Sequence, residues 1–489
     1  MSLRRAFGLA FVSNNGTTFI ALVSSIFLAR LLTPKELGVF SLGMALVGIP
    51  ELLRDFGVGT YIVQEKDLTT ERIRTAFGLV LLSSWIFAAL FVALSWPAAA
   101  FFREPEVRDI MWLLALNMMI VPFGTVTFCY MRRQMMFGSR MMIEVGSAVV
   151  NSVVAVSFAF AGFGTSSLGW ALIACTIFTV AVTTRYRPKE WSWLPSFSET
   201  RRVMSFGTRV TGASMSAYLN GASADLILGK VQGMESVALF GRAMGLRRVF
   251  EKIVMGAVTA VALPHLSRKH NEGVSLRGDF LAAGRMLSGL GWPFFTALAI
   301  LAEPTIRVLY GPQWDLAVPL LQCLCLAAVI GLPFWVSAQF VLATGDAKTN
   351  LRNEIVALTV RVGVLLSAAF ISLDAVAVGT IVTSAAGVAI WRTALRHHVR
   401  VGILEVYREM RTSLWPAAGA GIGALIGVVG MPLLGLGNDW VVLGVGGVAS
   451  VALSMTLLMH AGHPLAAEIR RTVSSVKDRK RGSGGSEMR

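Results

Sequence analysis

The residues of this chain that are best suited to chemistry are cationic side chains within a long apolar stretch. The stretch runs from Leu239 to Pro264, and roughly 20 apolar residues are enough to cross a bilayer. Its charged members are Arg242, Arg247, Arg248, Glu251 and Lys252. A cation in hydrocarbon is costly, so it must face a protein interior or a water-filled cavity. Because guanidinium groups bind phosphate through paired hydrogen bonds, these residues predict anion binding.

Helical geometry leaves two interpretations of these charges open. At about 100° per residue, Arg248 and Lys252 share one helix face. Arg247 and Glu251 share a second face, and Arg242 points between the two. In one interpretation the arginines line a cavity. In the other, Arg247 and Glu251 form an ion pair on the helix surface, and Lys252 extends toward a membrane interface.

Further polar residues lie inside other apolar stretches, and several admit an alternative role. The additional candidates for ligand binding are Asn14, Asn15, Arg54, Arg209, Asn220 and Arg361. Arg54 lies near Glu51 and beside Asp55, so an ion pair at the headgroups is an equal alternative for it. Arg209 can instead extend to lipid phosphates. Arg361 has no carboxylate within one helical turn, which favours a place in a cavity.

Asp225 is the candidate for ion coupling, because it is the acid that lies well inside its apolar stretch. A desolvated aspartate can exchange a proton near neutral pH, whereas an aspartate beside a cation stays ionised and neutralises that cation. The sequence leaves both roles open.

The composition indicates that lipid, not water, surrounds much of this chain. Of its 489 residues 55% are apolar and 15% are charged, whereas a soluble domain carries about 25% charged residues. The cysteines lie in apolar runs without the spacing of metal ligands or of a disulfide framework, and they are Cys129, Cys175, Cys323 and Cys325. We therefore expect an all-α polytopic membrane protein with no metal and no cofactor.

Apolar stretches of spanning length recur along the whole chain and predict fourteen transmembrane helices. They lie near residues 7–29, 37–59, 75–96, 107–130, 141–162, 166–184, 206–229, 236–262, 284–309, 316–343, 352–372, 374–394, 412–434 and 440–461.

The distribution of basic residues predicts the orientation of these spans. With a cytoplasmic N-terminus, the inner connections carry 31 of the 44 lysines and arginines, and the outer connections carry six. Such a bias follows the positive-inside rule and places both termini in the cytoplasm. The net charge of +16 therefore needs no nucleic acid to explain it.

The two halves of the chain resemble each other at an offset of about 200 residues. Ala29–Leu46 aligns with Gly229–Leu246, which matches spans 1–6 with spans 7–12. Six spans per repeat give a parallel repeat, and such repeats place the substrate between the halves. The polar residues of spans 1, 2, 7 and 8 are then expected to line one central chamber. The predicted domains are an N-lobe at 1–200, a C-lobe at 201–400, spans 13 and 14 at 401–470, and a basic cytoplasmic tail at 471–489.

Several segments together carry a family likeness. They are RLLTPKELGVFSLGMAL from Arg30, RDFGVGTYIVQ from Arg54, FFREPEV from Phe101, AEPTIRVLYGPQWDLAVPLLQ from Ala302 and ATGDAKTN from Ala343. As a set they resemble the polysaccharide transporter family of Wzx-type flippases in the MOP exporter superfamily. The likeness extends over about the first twelve spans, and no single segment is diagnostic of a substrate.

The resemblance implies a function as well as a fold. It implies two six-helix lobes around a V-shaped cavity, working by alternating access in the bacterial inner membrane. The cargo would be oligosaccharide repeat units linked to undecaprenyl diphosphate. Basic residues in spans 1, 2, 7 and 8 hold the lipid diphosphate in this superfamily, and by location they correspond to Arg54, Arg209, Arg242 and Arg248. Span 1 departs from the pattern, because it offers Asn14 and Asn15 in place of a deep arginine.

The sequence also leaves two other functions open. An ion-coupled small-molecule exporter of the same superfamily would need a cavity dominated by carboxylates, whereas arginines dominate here. A membrane polymerase or ligase would need a large outer loop with catalytic residues, and the predicted outer loops are short. We therefore expect a transporter and not an enzyme, with a polysaccharide polymerase and export machinery as candidate partners.

Overall fold

The computed structural model is built from α-helices joined by short connections. It describes residues 3–55, 57–65, 67–467 and 470, and their side chains except those of 3–12, 14, 55, 201–214, 216, 217 and 255–264. The helices are α1 Leu3–Leu31, α2 Pro34–Asp55, α3 Val58–Gln64, α4 Thr70–Phe102, α5 Glu106–Ile120, α6 Pro122–Arg133, α7 Phe137–Phe160, α8 Ser166–Thr184, α9 Thr200–Val231, α10 Met234–Asn271, α11 Arg277–Ile300, α12 Ala302–Leu309, α13 Ala317–Gly331, α14 Ser337–Ala343, α15 Ala347–Ala369, α16 Leu373–Ala394, α17 Ile403–Glu409, α18 Leu414–Leu425, α19 Met431–Leu433 and α20 Asp439–His460. No strand occurs in the described ranges.

Many of these helices are long and apolar enough to cross a membrane. Within the described residues eight helices meet that test, and the number rises to ten when two bent helix pairs are each counted as one span. The predicted all-α polytopic membrane fold is thereby confirmed. The count of fourteen stays a prediction, because four predicted spans lie on α1, α9, α10 and α15, which are outside those ten.

A proline lies in the first turn of the second helix of each bent pair. Helices α5 and α6 meet at 53°, and α6 begins at Pro122. Proline has no N–H for the helical hydrogen bond and crowds the preceding turn, so a helix bends or ends there. Helices α11 and α12 meet at 75° around Leu301. Pro304 lies in the first turn of α12, where a residue has no helical hydrogen bond to lose, so a new helix can begin there.

Contacts divide the chain into two compact units, unit 1 at residues 1–241 and unit 2 at residues 242–489. Unit 1 has one buried cluster where α2, α4 and α5 pack, which includes Val39, Leu42, Phe91, Ile110, Met111, Leu114 and Met118. A second cluster joins α3, the start of α4 and α6, and it includes Tyr61, Ile62, Phe77, Val80, Val126 and Trp191. Lipid is as apolar as these side chains, so their close packing, more than their removal from water, stabilises the unit.

The connection between α8 and α9 is fastened to unit 1 by stacked side chains. The guanidinium of Arg187 lies 3.7 Å from the ring centroid of Trp193 and donates a hydrogen bond to the carbonyl of Ser192 at 2.7 Å. Trp191 is 8% exposed and packs edge-on against Tyr130, with 4.7 Å between the ring centroids. These contacts fix the position of the connection that leads into α9.

In unit 2, glycines allow α18 and the segment after it to approach α20 closely. A Cβ added at Gly423 would lie 2.2 Å from the backbone nitrogen of Ser450, and one at Gly427 would lie 2.6 Å from the Cα of Gly446. Small residues at such positions let helix backbones touch in a membrane. The glycine-rich run of predicted span 13 therefore has a packing role.

Candidate functional site

Arg54 lies at the end of α2 and is buried within unit 1, with 6% of its surface exposed. Its backbone carbonyl oxygen lies 3.2 Å from Ser83 Oγ of α4, whose hydroxyl has its shorter hydrogen-bond contact, 2.7 Å, with the Leu79 carbonyl of its own helix. The contact between Arg54 and Ser83 fixes the end of α2 against α4. The burial favours a role inside the helix packing over extension of Arg54 to the headgroups.

Tyr218 joins α9 to α2 in the same unit. Its hydroxyl donates to the backbone carbonyls of Met44 at 2.8 Å and Ala45 at 3.1 Å. The ring occupies space that only glycine leaves open, because a Cβ at Gly48 would lie 2.0 Å from the Tyr218 hydroxyl oxygen. The neighbouring stretches of α2 and α9 are therefore held in a fixed register.

Two acidic side chains, one from α2 and one from α9, lie near this junction. The carboxylates of Glu51 and Asp225 lie close enough to the Tyr218 hydroxyl to act on it electrostatically. Asp225 and Asn220 are half-buried on α9, and the Asn220 carbonyl accepts a hydrogen bond from Ser223 Oγ at 3.1 Å. Glu51 of predicted span 2 and Asp225 of predicted span 7 are therefore brought together near Tyr218 within unit 1.

Arg242 is held in unit 2 by two aromatic rings. Its guanidinium carbon lies 5.3 Å from the ring centroids of both Tyr310 and Trp314, which are 3% and 0% exposed. Both rings belong to the connection between α12 and α13. A desolvated cation–π contact stabilises by about 2 kcal/mol, so these contacts compensate part of the cost of placing a cation here.

The next two arginines of α10 separate onto different faces, as the helical angles predict. Arg247 Nη2 lies 3.3 Å from a carboxylate oxygen of Glu251, and its guanidinium carbon lies 5.8 Å from the ring centroid of Trp335. Arg248 and Lys252 are exposed. The intrahelical ion pair therefore forms, and it leaves Arg248 on a separate face.

The remaining candidates are scattered. Arg361 is half-buried on α15, on the same face as Glu354 two turns earlier. Asn15 is half-buried on α1. The side chains of Asn14 and Arg209 lie outside the described residues. The structure thus gathers Arg54, Asn220 and Asp225 into unit 1, while Arg242, Arg247, Arg248 and Arg361 belong to unit 2.

One charged cluster of unit 1 was missed by the sequence analysis. Glu144 of α7 accepts a hydrogen bond from Ser13 Oγ of α1 at 2.6 Å and from Arg140 Nη2 at 2.9 Å. The Arg140 guanidinium carbon also lies 4.8 Å from the ring centroid of Phe128. The spacing of four residues between Arg140 and Glu144 was the available signal, whereas nothing in the sequence pointed to Ser13.

The arginines and carboxylates described above can bind ions of opposite charge and neutralise them. Guanidinium groups that stack on rings keep in-plane N–H donors for an anion, and the carboxylates near Tyr218 can carry a proton or balance a cation. Among the described residues, no group of three or more His, Cys, Asp or Glu side chains is placed to hold a metal ion.

An all-helical fold whose described residues include eight to ten candidate membrane spans defines a polytopic membrane protein. Residues 27–319 match the model of the family described as polysaccharide biosynthesis protein. The match covers more than half of the chain, so this chain belongs to that family.

Known proteins agree with this assignment. The chain is 22% identical to the succinoglycan biosynthesis transport protein ExoT of Rhizobium meliloti (strain 1021), over 68% of this chain and 67% of that protein. Its fold is similar to that of the lipid II flippase MurJ in an inward closed conformation, with a TM-score of 0.69, 11% identity, and coverage of 93% of this chain and 99% of that one.

The fold is also similar to that of an inward-facing multidrug resistance MATE family transporter of the MOP superfamily. The TM-score is 0.61 and the identity 16%, over 78% of this chain and 94% of that one. The resemblance drawn from the sequence segments is confirmed at the level of the polysaccharide biosynthesis protein family, and the fold is similar to that of a MOP superfamily transporter.

Proposed function

We propose that this protein flips oligosaccharide repeat units linked to undecaprenyl diphosphate from the cytoplasmic to the periplasmic leaflet of the bacterial inner membrane. The observation that carries the proposal is a fold like that of a lipid II flippase over 93% of the chain, in a member of the polysaccharide biosynthesis protein family. The product would be an exopolysaccharide or an O-antigen-type polymer. A polymerase and export machinery would take up the flipped units.

The proposed mechanism is alternating access between two six-helix lobes within fourteen spans. A diphosphate cannot cross hydrocarbon unaided, so cations must replace its water during the passage. We assign this role to Arg54, Arg209, Arg242 and Arg248, with Arg247 and Arg361 as further candidates. The amides of Asn14, Asn15 and Asn220 offer hydrogen bonds to the sugars. Asp225 would couple transport to an ion.

Deletion of the gene tests the proposed function. Complete repeat units on undecaprenyl diphosphate are expected to accumulate, with their sugars accessible only from the cytoplasmic side. Lipid extraction and mass spectrometry identify the units, and an impermeant sugar-modifying reagent reports the leaflet. Unpolymerised units that accumulate on the periplasmic side would instead indicate a polymerase or ligase.

Two arginine variants test the cationic mechanism. Arg242→Ala and Arg361→Ala are each expected to reduce polymer export to background while membrane protein levels stay near those of the wild type. Arg185→Ala is the matched control, because Arg185 is exposed at the end of α8 and should leave export unchanged. Normal polymer export in both variants would exclude the cationic mechanism.

An ion-coupled small-molecule exporter is the second candidate, favoured by the MATE-like fold and by the carboxylates of Glu51 and Asp225 near Tyr218. This function predicts that deletion lowers tolerance to cationic drugs and leaves polysaccharide unchanged. Drug susceptibility and polymer yield, measured on the same deletion strain, separate the two candidates.

A further inference from the structure

Unit 1 has a long apolar groove between α2 and α4. Its volume is about 660 Å³, and it is lined by four residues of α2 from Leu46 to Leu53, eight residues of α4 from Phe87 to Phe102, and Met111 of α5. Every lining residue is apolar. At 1.5 Å per residue, the α4 side of the groove is about 22 Å long, most of the roughly 30 Å hydrocarbon core.

Prolines on both walls account for the open space. Pro50 of α2 and Pro97 of α4 line the groove, and both lie inside their helices. Proline removes a backbone hydrogen bond and bends a helix, so two facing helices cannot pack along their full length. Leu90 is 48% exposed and lines the groove, which shows that the groove opens to the surroundings of the unit.

One end of the groove is marked by Arg54. Arg54 follows Pro50 by one helical turn on the same face of α2, and Ser83 precedes Phe87 by one turn on the same face of α4. Ser83 Oγ lies 3.2 Å from the Arg54 carbonyl oxygen, so both walls run from apolar residues to this polar junction. In the predicted orientation this is the cytoplasmic end.

The opposite end is marked by Lys230 of α9. Its ammonium group donates to the backbone carbonyl of Phe101 at 2.6 Å and lies 4.0 Å from the Phe101 ring centroid. Phe101 lines the groove. The apolar path is therefore bounded by a cationic residue at each end.

We propose that this groove binds the polyisoprenoid chain of the lipid carrier, with its diphosphate at the Arg54 end. The proposal rests on the proposed function and adds a binding site for the carrier's tail within unit 1. A chain anchored by phosphate at the cytoplasmic end would run along the groove toward the other leaflet, which is the direction the sugar must take. The aromatic and leucine side chains of the walls offer contacts to a methyl-branched chain.

Binding by carriers of different length tests the groove. Purified full-length protein is titrated with undecaprenyl diphosphate, farnesyl diphosphate and inorganic diphosphate. The wild type is expected to bind undecaprenyl diphosphate at least about tenfold more tightly than inorganic diphosphate. Ala98→Phe places a ring in the groove and should remove most of this difference while leaving the affinity for inorganic diphosphate unchanged. Ala93→Phe is the control, since Ala93 is exposed on α4 outside the groove.

A second measurement keeps the test informative if Ala98→Phe fails to fold. Leu90→Cys in the groove and Ile86→Cys outside it, at 55% exposure, are labelled with a maleimide in protein without its four native cysteines. Undecaprenyl diphosphate should slow labelling at position 90 about fivefold or more and leave position 86 unchanged. Equal protection by phosphatidylglycerol at the same concentration would overturn the proposal, because the groove would then hold ordinary lipid.

Flipping assays separate this inference from the proposed function. If wild-type protein in proteoliposomes flips the carrier and Ala98→Phe flips it at the same rate, the groove proposal fails alone. If the wild type flips no carrier while position 90 is still protected by undecaprenyl diphosphate, the proposed flippase function is contradicted. The proposal that the groove binds the carrier chain is then still supported.

Discussion

Aromatic rings and one carboxylate hold two arginines of α10, Arg242 and Arg247. Arg242 stacks near Tyr310 and Trp314, and Arg247 combines one carboxylate with one ring. A ring face interacts with the guanidinium plane and leaves the in-plane N–H groups available. Such an arrangement can stabilise an arginine without ligand and still allow it to bind phosphate.

The pairing of Tyr218 with Gly48 gives a residue-scale prediction about stability. Gly48→Ala should lower the free energy of unfolding by about 1–3 kcal/mol, because the new methyl group overlaps the Tyr218 ring. Tyr218→Ala in the same chain should recover part of that loss. Gly221→Ala on α9 is the control, since its Cβ would meet no atom within 4 Å. Thermal unfolding in detergent measures all four proteins, and equal effects of the two alanines would contradict the close contact.

Local residue contacts could be read from the sequence, and distant ones could not. The Arg247–Glu251 pair forms at the spacing that predicts it. By contrast, the rings that hold Arg242 lie 68 and 72 positions further along the chain, in a connection between helices. Helical angles place a side chain on a face of its helix, but they do not say which other element packs on that face.

At the scale of elements, the connection between α8 and α9 should depend on one arginine. Arg187 stacks on Trp193 and donates to two backbone carbonyls, those of Trp191 and Ser192. Burial lowers the pKa of Arg187 below its ordinary value, but an arginine starts so high that it stays charged. Arg187→Ala should therefore release the connection and speed cleavage after Glu190 by a glutamate-specific protease roughly tenfold.

Two variants control this experiment. Arg185→Ala removes a nearby exposed cation and should leave the cleavage rate unchanged. Arg187→Lys keeps the charge but loses the planar group that stacks and donates to two carbonyls, so its rate should fall between those of the wild type and Arg187→Ala. Cleavage of Arg187→Ala at the wild-type rate would show that other contacts hold the connection.

The segment after α20 is held to α11 by a buried histidine, which predicts pH dependence. Ser413 Oγ lies 3.0 Å from His463 Nε2 and 2.9 Å from Ser288 Oγ. His463 Nδ1 accepts the Leu465 N–H at 3.2 Å, so the ring is neutral in this arrangement. Burial, with a smaller contribution from Arg285, lowers the pKa of His463.

The sign of the pH effect follows from that lowered pKa. The unfolded histidine has a pKa of about 6.5, so the full stabilisation is present above that pH. As the pH falls below it, the unfolded chain gains the proton first, and stability decreases by at most about 1.4 kcal/mol per pH unit. The unfolding temperature should therefore drop between pH 7.5 and 5.5, less steeply in His463→Asn. His460→Asn, at an exposed histidine, should keep the wild-type slope, and equal slopes in all three proteins would exclude this role.

At the scale of the whole molecule, composition and hydropathy were enough to predict an all-helical membrane fold. The family segments predicted a polysaccharide transporter family, and the family match supports that prediction at the level of polysaccharide biosynthesis proteins. Breaks inside spans were harder to place, because a proline such as Pro50 stays within one helix whereas Pro122 begins a new one. The difference depends on tertiary packing, which can restore or leave open the lost hydrogen bond.

The fourteen-span prediction requires the polar helices to cross the membrane, and α10 is the helix on which this can be tested. Its 38 residues include the charged stretch with Arg242 and Arg247, and crossing is tolerated only if these cations face protein or water. Single cysteines at Glu235 and Glu272, both exposed near the ends of this helix, are expected on opposite sides of the membrane. In intact cells that express the protein without its four native cysteines, an impermeant maleimide should label position 235 and reach position 272 only after the cells are lysed. Labelling of both positions before lysis would mean that α10 does not cross the membrane. It would also contradict the predicted parallel repeat of two six-span lobes.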